Sequence, residues 1–113
     1  MQEEADLFKA LSDATRLRLV VLLAMQGEVC VCVMAEALNE PDFKVSRHLR
    51  VLRAAGIVAT RRAGTWMYYR LSEPRTQLEK CLQDGFRNCL TEHAAVMADA
   101  ARLKNAMCSK QCE

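Results

Sequence analysis

The feature that most narrows the fold of this chain is a change of hydrophobic period at Gly56. Before it, Val45, Leu49 and Leu52 recur at i, i+4 and i+7, the spacing of one helix face. After it, Ile57-Val58-Ala59-Thr60-Arg61-Arg62 and Thr65-Trp66-Met67-Tyr68-Tyr69-Arg70-Leu71 are β-rich runs that flank Ala63-Gly64, a tight hairpin signal. A helix over 43–54, closed by Ala55-Gly56, therefore runs directly into a hairpin. Asp42 is placed to cap that helix. Asn39-Glu40-Pro41-Asp42 forms a turn back to a shorter helix over about Val31 to Leu38. Two helices joined by a short turn, with Lys44, Arg47 and Arg50 on the outer face of the second, make a helix-turn-helix, and the hairpin makes a wing beside it.

The remaining segments fit around that unit. Residues 3–11 read as a first helix with Leu7, Phe8 and Leu11 on one side. Ser12 or Asp13 can cap the next, which runs through Ala14-Thr15-Arg16-Leu17-Arg18-Leu19-Val20-Val21-Leu22-Leu23-Ala24 and ends at Gly27. It is apolar on most sides after Arg18 and belongs at the centre of the core. Trp66, Tyr68 and Tyr69 are read as holding the hairpin onto the helices. Pro74 opens a long last helix to about residue 106. Its stripe of Leu78, Leu82, Cys89, Val96, Ala100, Leu103 and Met107, with Phe86 beside it, is too long for one small core to cover. A dimer built from the terminal helices is the natural reading. The expectation is a single domain over residues 1–113, mainly α with a β-hairpin wing, in the order α-α-α-α-β-β-α. It carries a C-terminal dimerisation helix and a short cysteine-containing tail.

Charge is unevenly distributed. The net charge is only +2, yet residues 43–72 carry seven Lys/Arg and no acid, while residues 1–42 carry three Lys/Arg against eight Asp/Glu. Such a segment is an electrostatic footprint for a polyanion, the alternative being a merely solvated basic face. The start, Met1-Gln2-Glu3-Glu4-Ala5-Asp6, is acidic and unlike a secretory signal, and no stretch approaches the ~20 apolar residues of a membrane span. A cytoplasmic protein without membrane contact is expected. There, six cysteines point to metal binding or redox chemistry more than to disulfides. No Gly-rich phosphate loop and no recognisable nucleophilic grouping occurs, so neither an enzyme nor an organic cofactor is expected.

Cys30 and Cys32 stand one residue apart at the head of the short helix that braces the basic one. Such a pair does not form an easy disulfide but can chelate one soft ion. Tetrahedral zinc asks for four N or S ligands, and only two histidines exist. His48 lies on the basic helix, and His93 is read as a packed or exposed residue and not a ligand. A sulfur-only three-coordinate site therefore fits better than zinc. Two sulfurs come from Cys30 and Cys32, and the third is open. Cys108 and Cys112 form a C-x3-C near Lys110 that could supply it or be incidental. Cys89 and Cys81 are read as small apolar residues of the stripe.

These pieces resemble the ArsR/SmtB family of winged-helix, metal- or metalloid-responsive repressors. The likeness is carried by Phe8-Lys9-Ala10-Leu11-Ser12-Asp13-Ala14-Thr15-Arg16-Leu17-Arg18-Leu19, by Glu28-Val29-Cys30-Val31-Cys32, by Val45-Ser46-Arg47-His48-Leu49-Arg50-Val51-Leu52-Arg53-Ala54-Ala55-Gly56-Ile57-Val58, and by the hairpin. The Cys-Val-Cys is similar to the arsenic(III)- and antimony(III)-sensing branch. The resemblance implies a homodimer on two-fold double-stranded operator DNA that As(III) or Sb(III) releases. The chain departs from that branch's pattern at Ala35, where a third cysteine is common, at Val33, where an acid is usual, and at Asp42-Phe43, where Gln-Ser is common. Phosphate and groove contacts are assigned to Lys44, Arg47, Arg50, Arg61 and Arg62, with Ser46 and His48 nearer base edges. Two alternatives keep DNA binding but change the signal, to thiol redox or persulfide chemistry or to Cd, Pb or Zn. A third is a metal-buffering or protein-docking winged helix that leaves DNA alone.

Overall fold

The structure, a computed structural model, describes residues 1–109, with side chains as far as Met107. Its elements are α1 (Gln2–Leu11), α2 (Ala14–Gln26), β1 (Val29–Cys30), α3 (Val31–Leu38), α4 (Asp42–Ala54), β2 (Val58–Ala63), β3 (Trp66–Leu71), α5 (Gln77–Asn88) and α6 (Ala94–Ser109). Mainly α with a hairpin wing, it is a winged helix-turn-helix. Among the described residues no helix is long and apolar enough to cross a membrane.

The central helix is α2, whose residues Leu19 to Ala24 are all buried. Asp13 starts it: its carboxylate accepts the Arg16 backbone N–H at 3.0 Å. On α1, Leu7 and Leu11 face the core, but Phe8 turns out to be 48% exposed, contrary to the expected three-residue face. Asn39, in the left-handed region at φ 55°, stops α3, and the Glu40 N–H closes on the Ala35 carbonyl at 3.0 Å. The next helix begins one residue earlier than expected, with Pro41 at the cap position and Asp42 already inside α4. Val45, Leu49 and Leu52 are wholly buried.

After α4 the chain turns at Gly56, where φ is +78° and a side-chain carbon would come within 2.9 Å of the Arg75 guanidinium. The positive φ favours a glycine there, whereas the Arg75 guanidinium, the end of a flexible side chain, could shift. The hairpin turn is Gly64-Thr65 and not Ala63-Gly64, because Ala63 pairs with Trp66 as the last rung of the ladder. Tyr68 and Tyr69 are buried against the helices as expected, while Trp66 is 37% exposed.

Two features differ from the expected order. The wing sheet has a third strand, β1, antiparallel to β3, with Val29 opposite Tyr69 and Cys30 opposite Tyr68. The long last helix is broken. Thr76 accepts the Glu79 N–H to begin α5, the helix ends at Asn88, and His93 Nδ1 accepts the Ala95 N–H at 3.1 Å to begin α6. The break redirects the stripe that was read as one dimer seam. Leu78, Leu82 and Phe86 of α5 are half-buried against this chain's own core, whereas α6 packs on α3 and α2 and buries Val96, Leu103 and Ala106. Cys89, read as a small core residue, lies exposed at the break, and Cys81 is exposed on α5.

Candidate functional site

The cysteine pair sits where two kinds of structure meet. Cys30 is the last residue of β1 and caps α3 with extended backbone, φ −83° and ψ 159°. Cys32 lies in the first turn of α3. Cys30 is buried and Cys32 half-buried, and their Sγ atoms are 3.2 Å apart. No ligand is needed to bring them together, because the strand-to-helix transition does so. Two thiolates within reach of one another could share one soft ion. A bound thiolate is an anion, and the amino end of a helix is where an anion is best accommodated. The donor set thus fits a soft, thiolate-bound ion. Among the described residues no three His, Cys, Asp or Glu cluster around one point. The Cys108 side chain and all of Cys112 lie outside the described residues. His93 serves the start of α6.

The other end of α3 is fastened. Asp99 of α6 is buried and accepts Arg18 Nε at 2.9 Å and an Arg18 terminal nitrogen at 2.7 Å. That nitrogen also donates to the Leu38 carbonyl at 3.0 Å. Arg102 donates to Asp99 at 2.9 Å and, through Nε, to the Ala37 carbonyl at 2.7 Å. The last carbonyls of α3, which no helical N–H can reach, are thereby satisfied from α2 and α6. The bond to Asp99 holds the Arg18 guanidinium protonated even more firmly than usual. Sequence reasoning passed over this cluster. The signal was Asp99 itself, a charge at helical spacing between the apolar Val96, Leu103 and Ala106.

The basic residues divide into presented and occupied. Arg47 and Arg50 are exposed on the face of α4 opposite Val45, Leu49 and Leu52, and Arg62 is exposed on β2. None of the three has an ion-pair partner among the described residues. Lys44 is held by Glu40 at 3.1 Å. Arg61 is bound by Glu28 at 2.6 Å and lies over the Tyr68 ring at 4.8 Å. This bond keeps the Glu28 carboxyl below the usual glutamate range. Successive strand residues face opposite ways, so Arg61 turns to the protein where Arg62 does not. Ser46 is half-buried. His48 is not on the outer face: its side chain is 13% exposed, with Nδ1 3.3 Å from Arg16 and 3.9 Å from Asp13. It ties α4 to the start of α2. The Arg16 backbone N–H holds the Asp13 carboxyl below the usual aspartate range, and the His48 and Arg16 charges add to that against a cost of burial. Phe43, which the expected contact set omitted, is 70% exposed on the first turn of α4.

Comparisons with known proteins agree with this architecture. The profile of the bacterial regulatory protein, arsR family, matches residues 13–60. The arsenic resistance transcriptional regulator ArsR2 of Pseudomonas putida is 44% identical over 101 residues, covering 88% of this chain and 85% of that protein. The arsenical resistance operon repressor of Escherichia coli is 50% identical over 66 residues, 58% of this chain and 56% of the repressor. Among solved structures, the homodimeric winged helix-turn-helix DNA-binding domain of Mb0332 from Mycobacterium bovis, a possible ArsR-family regulator, superposes with a TM-score of 0.65 at 33% identity, covering 82% of this chain and 86% of that one.

Proposed function

The chain belongs to the arsR family of bacterial regulatory proteins, and from that premise we propose that it represses transcription from operator DNA as a cytoplasmic homodimer and lets go when trivalent arsenic or antimony binds Cys30 and Cys32. The observation that carries the reading is the 3.2 Å sulfur pair at the junction of β1 and α3. Cys30 pairs with Tyr68 in the wing sheet, and α3 packs on α4. Any rearrangement of the two sulfurs therefore acts on both DNA-facing elements at once. Bound, the ion would bridge the two thiolates already in contact and fix their spacing. The chain's own part is to hold the sulfurs at a hinge between wing and helix. The inducer must prefer the form that fits DNA poorly, and by linkage DNA must weaken inducer binding by the same factor.

Arg47, Arg50 and Arg62 are the main phosphate and groove contacts in this reading. Lys44 and Arg61 take part only by loosening their bonds to Glu40 and Glu28. Ser46 stays near base edges, and His48 is given a positioning role. The dimer contact is assigned to the α1–α5 face, where Phe8 is exposed and Leu7, Leu11, Leu82 and Phe86 line an apolar depression.

The third sulfur is assigned to the tail, with Cys108 ahead of Cys112. Arg102 is fixed at the Ala37 carbonyl, and Leu103 and Ala106 join the same buried core as Cys30 and Val33. This supports α6 returning along α3 toward the pair. At 1.5 Å per residue, the six residues from Arg102 to Cys108 span about 9 Å, as do the six from Ala37 back to Val31.

The test is DNA binding at fixed salt with and without arsenite. Cys30→Ser and Cys32→Ser should keep operator affinity and lose the arsenite response. Removal of residues 108–113 should drop the sulfur coordination of bound arsenic from three to two and raise the arsenite needed for release. Full arsenite release by Cys30→Ser would refute the placement on α3. Release of the wild type by persulfide or peroxide, with arsenite inert, would favour the redox alternative.

A further inference from the structure

Phe43 is the large apolar side chain on the outer face of α4 for which the core has no use. It sits on the first turn, one turn before Arg47 and two before Arg50, on the side away from Val45, Leu49 and Leu52. At 70% exposure it keeps most of its ring in water, where apolar surface is unfavourable. Its neighbours say what it can meet. Arg47 and Arg50 bring this face toward a polyanion. The exposed carboxylate of Asp42 beside it would be repelled by a phosphate, so this end of the helix suits base edges better than backbone. The first residues of such a helix are also the ones that reach base edges in the major groove. The apolar group displayed there is the C5-methyl of thymine, and a phenyl ring is one of the side chains that packs on it.

We propose that Phe43 is a specificity-determining residue whose ring covers a thymine methyl in each operator half-site. The proposal rests on α4 being the groove-reading helix.

The experiment begins with selection of the tightest duplexes from a randomised pool by the full-length protein. Each thymine of the selected site is then replaced in turn by deoxyuridine, which removes only the methyl group, and affinity is read by fluorescence anisotropy at one salt concentration. One thymine per half-site should lose about fourfold on replacement, which is what burying one such group is worth. Phe43→Ala, whose thermal unfolding should match the wild type, should bind thymine and deoxyuridine duplexes equally at that position. Neutral replacement at every thymine overturns the proposal. So does a Phe43→Ala protein that weakens on both duplexes by the same factor, since the ring would then be touching sugar or phosphate. Failure of the selection to yield any preferred sequence removes the reading of α4 itself, and the proposal with it.

Discussion

The two ends of α3 are built on opposite plans. At the carboxyl end, buried Asp99 gathers Arg18 and Arg102, and those arginines hold the Leu38 and Ala37 carbonyls. At the amino end there is a two-residue strand, a half-buried thiol and a second thiol in contact with it. One end is held by charge-assisted hydrogen bonds, the strongest of the ordinary kind. The other is held by one short β-ladder, by sulfur contacts and by the burial of Val33 and Met34. A force on the amino end of this eight-residue helix works against a carboxyl end that is tied down. The ligand proposed at Cys30 and Cys32 would have that tie to work against.

The comparison can be broken most directly at the fixed end. Asp99→Ala leaves two arginines facing a hole. It should cost about 3 kcal/mol, the low end for a broken buried pair because Arg18 and Arg102 keep some access to water. Urea unfolding would measure it, and a cost below about 1 kcal/mol would mean α3 is not anchored there. At the soft end the expected effect is on coupling. Arsenite should weaken operator binding by about 5- to 150-fold in the wild type, the usual range of allosteric coupling, and by nothing in Cys32→Ser, whose unfolding midpoint should barely move.

Asp13→Ala asks how firmly α4 is tethered through His48 and α2. Loss of the cap should cost about 1 kcal/mol. The Asp13 carboxyl titrates below its ordinary value in the folded protein, so its contribution is complete above the unfolded aspartate range and is lost as pH falls through the folded value. The gap between wild type and Asp13→Ala in a pH series of melts should close toward acid. The smallest effect belongs to the wing. Glu28→Gln breaks an exposed pair that contributes little to stability but releases Arg61. Operator affinity should therefore rise slightly, and its salt dependence should steepen by about one counterion.

Much of this was legible in the residues. The apolar run after Arg18, the Asp13 cap, the i, i+4, i+7 face of α4 and the β-rich pair of runs each follow from local physics that tertiary contacts did not overrule. The rest was hidden for identifiable reasons. Two residues cannot display a period, so β1 left no trace in the sequence, and with it went the fact that Cys30 belongs to the wing. The break between α5 and α6 contains neither Gly nor Pro and is set by the His93 ring acting as a cap. His48 was placed outward because its neighbours are basic, yet it stands three residues after Val45 and four before Leu52, on the flank of the buried stripe. The cysteine pair is legible from its spacing, its place at the head of the helix and the family resemblance, but none of these gives the 3.2 Å contact.

Gly56 has a consequence for how operators are measured. Its missing side chain admits the Arg75 guanidinium, which is also bound to Glu79 at 3.0 Å. The joint between reading helix and wing thus lies beside the first turn of α5, on the face assigned to subunit pairing. In the proposed pair the gap between reading helices in the inducer-free form is set by how that joint sits on the pairing face. A site whose halves lie one base pair too far apart must then be brought into register by twisting the DNA, at an energy set by the sequence between the halves. Base pairs that no side chain touches would in that way enter the choice of operator.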